Sequence, residues 1–185
     1  MQKSPLMEII QKRRSVRKFL PQKIEEWKIK QMVEAARLAP SACNIQPWRF
    51  IAVTDDNIIS EIAEKALGGI VANQFAGSAP LIIVLCSDKN FVTNTLAEAY
   101  KGINYHQIDT GIAGEHLVLR AQELGIGTCW IGWFKEKPLK KILNIPSKIK
   151  VLSLIAAGYY NEEELPVRAK KKELEEILFR NKYKS

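Results

Sequence analysis

Cysteine and histidine are scarce in this chain, and where they stand matters more than their number. Cys43, Cys86 and Cys129 lie far apart with no CxxC pair. That argues against a disulfide framework or a cysteine-built zinc site and fits a reducing compartment. His106 and His116, ten residues apart, match no zinc-helix spacing, so both are expected to be structural and no metal is expected. No apolar run approaches the roughly 18 residues of a membrane helix. The densest, VLSLIAAGYY (151–160), is closed by Lys150 and Asn161. The opening MQKSPLMEIIQKRR has no apolar secretory core, so a cytoplasmic location without a membrane partner is expected. A GxSxG elbow, a Walker loop and paired catalytic carboxylates are also missing. GIGTCWIG carries Gly125 and Gly127 but has Trp130 where a dinucleotide fingerprint needs its third glycine. It also runs from helix into strand, the reverse of a phosphate site at a helix N-terminus.

What is abundant is positive charge, and it is concentrated. The net charge is +8 over 185 residues, a length that suits one domain spanning 1–185. Segment 12–18 holds Lys12, Arg13, Arg14, Arg17 and Lys18; segment 168–172 holds Arg168, Lys170, Lys171 and Lys172; neither contains an acid. Without those nine, 19 basic residues face 20 acidic ones. A nucleic-acid-binding face would spread its cations and interleave aromatics, so a basic nucleic-acid module is the disfavoured alternative. Two compact clusters suit a small, highly charged group, provided the fold brings them together.

Periodicity predicts alternating helices and strands. Helices are expected over 5–12, over 25–38 (Ile29, Met32, Val33, Ala36 on one face) and over 57–67. The longest is expected over 108–124, with Asp109 or Thr110 near its start and Gly125 as its stop. Apolar residues spread round much of that helix, which in a small domain suggests a subunit interface. Strands are expected at 48–54, 81–86, 127–134 and 150–158, with LIIVLC (81–86) reading as covered on both faces. The tail from 172, KKELEEILF, reads as a charged helix.

Three segments are hard to explain as packing alone. RRSVRKF (13–19) collects guanidiniums, whose planar forks suit phosphate, beside the Ser15 hydroxyl, although cations also suit a solvated helix end. APSACNIQPW (39–48) presents Ser41, Asn44 and Gln46 between Pro40 and Pro47 and could read a polar heterocycle, or simply connect helix to strand. TCWIGWF (128–134) places Gly132 among tryptophans, where a backbone N–H could approach a flat ring, or where an aromatic strand could pack in the core.

Taken in this order, these segments, the long helix entering LGIGTCWIG and the closing AKKKELEEILFRNKY resemble the nitroreductase family of FMN-dependent oxidoreductases. The likeness runs from about Met7 to the C-terminus. It implies an α+β, two-layer, nitroreductase-like fold with a central mixed β-sheet flanked by helices, in an intertwined homodimer with FMN at the interface. Arg13, Arg14 and Ser15 would then meet the phosphate and ribityl chain, and Arg17 the N1/O2 edge of the flavin. Pro40, Ser41, Ala42, Cys43, Asn44 and Gln46 would come from the other subunit and line the ring, Cys43 as a lining residue and not a nucleophile. Trp130, Ile131 and Gly132 would pass over the opposite face, a backbone N–H reaching N5. Lys171, with Arg168 or Lys170, would complete the phosphate site, although relatives usually have Arg-Lys-Pro-Leu where this chain has Lys171-Lys172-Glu173-Leu174. Asn73 or Gln74 would add an amide contact. The likeness further implies NADH or NADPH as donor and flat electrophiles such as nitroaromatics and quinones as acceptors. No side-chain acid or base is obligatory, because the flavin carries the redox chemistry. Flavin-fragmenting, dehalogenating and enone-reducing members share the fold and differ in a lid, which would lie at 88–108.

Overall fold

The computed structural model describes residues 4–68, 73–88 and 102–183, so most of the expected lid lies outside the described residues. Helices α1 (Pro5–Lys12), α2 (Glu26–Arg37), α3 (Asp56–Lys65), α4 (Tyr105–Glu123) and α5 (Glu136–Ile142) surround strands β1 (Trp48–Val53), β2 (Leu81–Asp88), β3 (Gly127–Ile131) and β4 (Ile149–Gly158). The strand order is β1-β2-β4-β3, every neighbouring pair antiparallel. The parallel component of the expected mixed sheet is, among the described residues, a single bridge between Ser15 and Thr128.

The apolar run on β2 determines the layering. Leu81, Ile83 and Leu85 point to one face, where Ile29, Met32 and Ala36 of α2 and Ala113, Leu117 and Val118 of α4 meet them. Ile82, Val84 and Cys86 point to the other, against Ile59 and Ile62 of α3 and Leu139 of α5. Helices thus cover both faces, as expected for a sheet flanked by helices. That is why β2 lacks the apolar–polar alternation of a half-exposed strand.

Two helix assignments shift. α4 begins at Tyr105, so Asp109 and Thr110 are not its cap but buried residues in its second turn, on the core side. The helix expected beyond 172 is only a 3₁₀ turn at Leu174–Glu176, closed by a Glu173/Glu176 capping box. Leu174 and Ile177 are each 60% exposed; without an apolar surface to pack on, a short helix has little to stabilise it.

At the start of β4 the pairing skips from Leu85↔Ser153 to Cys86↔Val151, leaving Leu152 as a bulge. Glu136 pins this point: it accepts the Val151 N–H at 3.1 Å and pairs with Lys140 at 3.2 Å and with Lys150. Burial alone would raise its carboxyl, but the Lys150, Val151 and Lys140 donors outweigh it and hold the group below the ordinary 4.5. A carboxylate depressed in the folded state stabilises fully above its unfolded value and loses that contribution as pH falls through the folded one. Glu136→Gln is therefore expected to lower the melting temperature at neutral pH and to flatten its decline below about pH 4.5. Parallel wild-type and variant curves of melting temperature against pH would contradict this.

Candidate functional site

The two basic segments converge. A cavity of about 230 Å³ is lined by Arg13, Arg14, Ser15 and Arg17 from the N-terminal part and by Arg168 and Lys171 from the C-terminal part. Local structure explains the first half. α1 ends at Lys12, and the chain continues extended, the Val16 N–H bonding the Thr128 carbonyl at 2.9 Å. Extended backbone alternates its side chains, so Val16, 2% exposed, enters the core while Ser15 and Arg17 face the cavity. Two arginines tie on the second half: Arg14 Nη2 donates to the Pro166 carbonyl at 2.9 Å, and Arg168 Nη1 to that of Gln11 at 2.7 Å.

Carbonyls do not neutralise guanidiniums, so the cavity keeps its charge. The side chains of Arg13 and Lys171 have no hydrogen-bond or ion-pair partner among the described residues, and Arg17 lies over the Phe75 ring, 6.0 Å from its centroid. Lys170 does not line the cavity but sits 3.7 Å from Glu173, and Lys18 is paired with Glu164. Behind the arginines, burial pushes the Cys129 thiol up, with Arg17, Arg13 and the Ser15 hydroxyl opposing. Cys86 is pushed up to about 11, chiefly by burial. Both thiols are poor nucleophiles at neutral pH.

Trp130 and Gly132 line a second cavity of about 520 Å³, together with Gln107, Thr110 and Gly111 of α4. A Cβ on Gly132 would meet nothing within 4 Å, so the backbone there is open to close approach. Ile131 is 1% exposed and offers backbone only. The Asn73 amide is already committed to the Trp133 carbonyl at 2.9 Å.

The 40–46 loop lines neither of these cavities within one chain. It is strained: Cys43, Asn44 and Gln46 have φ of 51°, 55° and 52°. Asn tolerates this region; for the other two the cost is on the order of 1–3 kcal/mol each. Ser41 Oγ accepts the Gln46 N–H at 2.9 Å, and both Asp109 carboxylate oxygens lie 3.2 Å from the Ala42 nitrogen.

The sequence places Asp109 and Thr110 only near a helix start and His106 only as structural, and leaves the contact of Asp109 with the 40–46 loop unseen. Burial pushes the Asp109 carboxyl up, opposed by the Ala42 N–H and by His106. His106 is itself buried, Nδ1 3.1 Å from Ser87 Oγ. The available signal was spacing: His106 lies three and four residues ahead of Asp109 and Thr110, these lie four and three ahead of Ala113, and Ala113 lies four ahead of Leu117, one helical face throughout.

Comparison with known proteins agrees with this architecture. The family model described as the nitroreductase family matches residues 10–76 and 71–159. An Archaeoglobus fulgidus protein provisionally named NADH dehydrogenase/NAD(P)H nitroreductase is 33% identical over 162 residues, covering 85% of this chain and 87% of its own. The crystal structure of a nitroreductase family protein from Clostridium novyi NT superimposes with a TM-score of 0.77 at 32% identity, over 86% of this chain and 87% of that one. An FMN-dependent nitroreductase from Clostridium difficile R20291 superimposes with a TM-score of 0.75 at 27% identity, over 96% and 99%. A match over most of the length, joined to about one-third identity with a relative, has one consequence: this chain belongs to the nitroreductase family.

Proposed function

We propose that the protein is an FMN-dependent NAD(P)H oxidoreductase acting on flat electrophiles such as nitroaromatics and quinones. The observation that carries this is the single cavity built by Arg13, Ser15 and Arg17 with Arg168 and Lys171. Its donor set, with two cations that have no partner among the described residues, fits a phosphate monoester. Bound FMN would supply the redox chemistry, taking hydride from NAD(P)H and passing it to an acceptor that replaces the spent donor.

The chain's own residues bind and orient. Arg13 and Lys171 would hold the phosphate, with Ser15 beside them. Arg17 would face the ring edge where reduction places negative charge, and an arginine stays cationic throughout. The open backbone at Gly132, beside Trp130, would let an N–H approach the ring. The loop at 40–46, remote from the basic cavity within one chain, would complete the site from a second copy. Apolar surface supports that homodimer: α1 buries none of its residues, and Leu6, Met7 and Ile10 stay exposed. Among the described residues no helix is long and apolar enough to cross a membrane.

The purified protein is expected to be yellow, to elute as a dimer, and to oxidise NADH or NADPH when a nitroaromatic or quinone is present. Colourless protein that ignores added FMN would end the proposal. Arg17→Ala should slow flavin reduction by on the order of 10²-fold, the scale of losing one charge-stabilising donor. Unchanged single-turnover reduction by NAD(P)H would remove the role given to Arg17.

A further inference from the structure

We propose that Asp109 is a positioning residue for the 40–46 loop: its buried carboxylate, by accepting the Ala42 N–H, holds the strained backbone in the shape that meets the flavin. This rests on the FMN reading above.

The loop needs an external anchor. Cys43, Asn44 and Gln46 occupy left-handed backbone, a state that persists only where the surroundings over-determine it. Within the loop, the Asn44 and Ile45 N–H groups close short turns on the Ser41 and Ala42 carbonyls, while its side-chain ties, Ser41 Oγ to the Gln46 N–H and the Gln46 amide to Asn44, are exposed, and water competes for exposed bonds. The Ala42 bond differs. Its acceptor is 4% exposed and sits on α4, a 19-residue helix packed against the sheet, with buried His106 and Thr110 on the adjoining turn.

Stability alone does not account for a carboxylate at this position. Among the described residues no lysine or arginine pairs with Asp109; His106 and the Ala42 N–H offset its burial only in part, and a buried carboxylate so weakly compensated lowers the stability of the fold. An apolar residue of similar size would pack there more favourably. The carboxylate instead places a strong acceptor under the first residue of the strained turn. Residues that trade stability for shape in this way belong to functional sites. The same bond makes the loop continuous with the sheet-packed helix whose Thr110 and Gly111 line the Trp130 cavity.

Three single variants and one double variant of the full chain test the assignment. Asp109→Asn keeps a carbonyl that accepts the N–H. Asp109→Leu removes the acceptor and the buried charge together. Ala42→Pro removes the donor from the other side, and the extended Ser41 before it (φ −142°, ψ 155°) is compatible with a following proline. The readouts are FMN dissociation constant, KM and kcat for a quinone, melting temperature, and the rate at which the exposed Cys43 reacts with an aromatic disulfide, Cys86 and Cys129 being buried.

Asp109→Leu and Ala42→Pro should each weaken FMN binding about tenfold, raise the quinone KM and change the Cys43 rate, and the double variant should be no worse than either single one, as expected for one shared bond. Asp109→Asn should stay within about twofold of wild type. Asp109→Leu should melt no lower than wild type, which a purely structural role would not allow. The assignment is overturned if Asp109→Leu leaves FMN affinity, KM and Cys43 reactivity unchanged, if Asn is as impaired as Leu, or if the double variant is additive. Should Asp109→Leu fail to fold, Ala42→Pro decides alone, since unaltered loop readouts there also overturn it. A wild type that binds no flavin defeats the FMN reading, while the Cys43 rates and their double-variant cycle still decide the role of Asp109.

Discussion

Arg13→Ala and Lys171→Ala are each expected to weaken FMN binding by roughly 10- to 150-fold while leaving riboflavin binding almost unchanged. The two residues come from opposite ends of the chain and line one cavity. Each would lose a charge-assisted bond to phosphate, on the order of 1.5–3 kcal/mol, and riboflavin has no phosphate to lose. Lys170→Ala is the internal control: Lys170 lies outside the cavity against Glu173, an exposed pair of little energetic weight. Fluorescence titration of apoprotein with both flavins decides the matter. Equal losses for FMN and riboflavin, or a Lys170 variant as weak as the Lys171 one, would show that the cavity is not the phosphate site.

Gly114→Ala is expected to destabilise the fold by about 1–3 kcal/mol, even though alanine is the better helix former by about 1 kcal/mol. Gly114 lies in the middle of α4, where a Cβ would stand 2.2 Å from Trp130 Cη2 and 2.7 Å from Leu85 Cδ2. Leu85 lies on the central strand β2 and is 0% exposed, so it has little room to yield. The indole must shift instead, toward the cavity it lines. The melting temperature should fall by on the order of 2–12 °C. Trp130→Phe removes the clashing indole atoms but not the Leu85 methyl, so the Gly114→Ala/Trp130→Phe pair should recover part of the stability lost in Gly114→Ala alone. A glycine variant that melts at or above wild type, or a pair no better than the single change, would refute this packing account.

Both predictions draw on residues that differ in how visible they were. Arg13 and Lys171 could be singled out from charge clustering, because nothing in core packing calls for nine cations in two acid-free segments. Gly114 carried no such mark: its necessity arises from a tryptophan sixteen residues downstream, and periodicity contains no information about that distance. The tail shows the opposite failure. KKELEEILF has local helix preference, yet without a surface to cover it leaves a single 3₁₀ turn, since tertiary packing decides short helices.

The sequence by itself determined the order of most elements, the burial of β2 on both faces and the two basic segments, because these follow from side-chain periodicity and charge carried along the chain. Tertiary structure alone decided that those segments share one cavity and that Lys170 turns away from it. It alone decided, too, that Asp109 is a buried anchor and not a helix cap. Such facts depend on which elements meet in space, and a hydrogen bond between residues 42 and 109 leaves no local trace in either stretch of sequence.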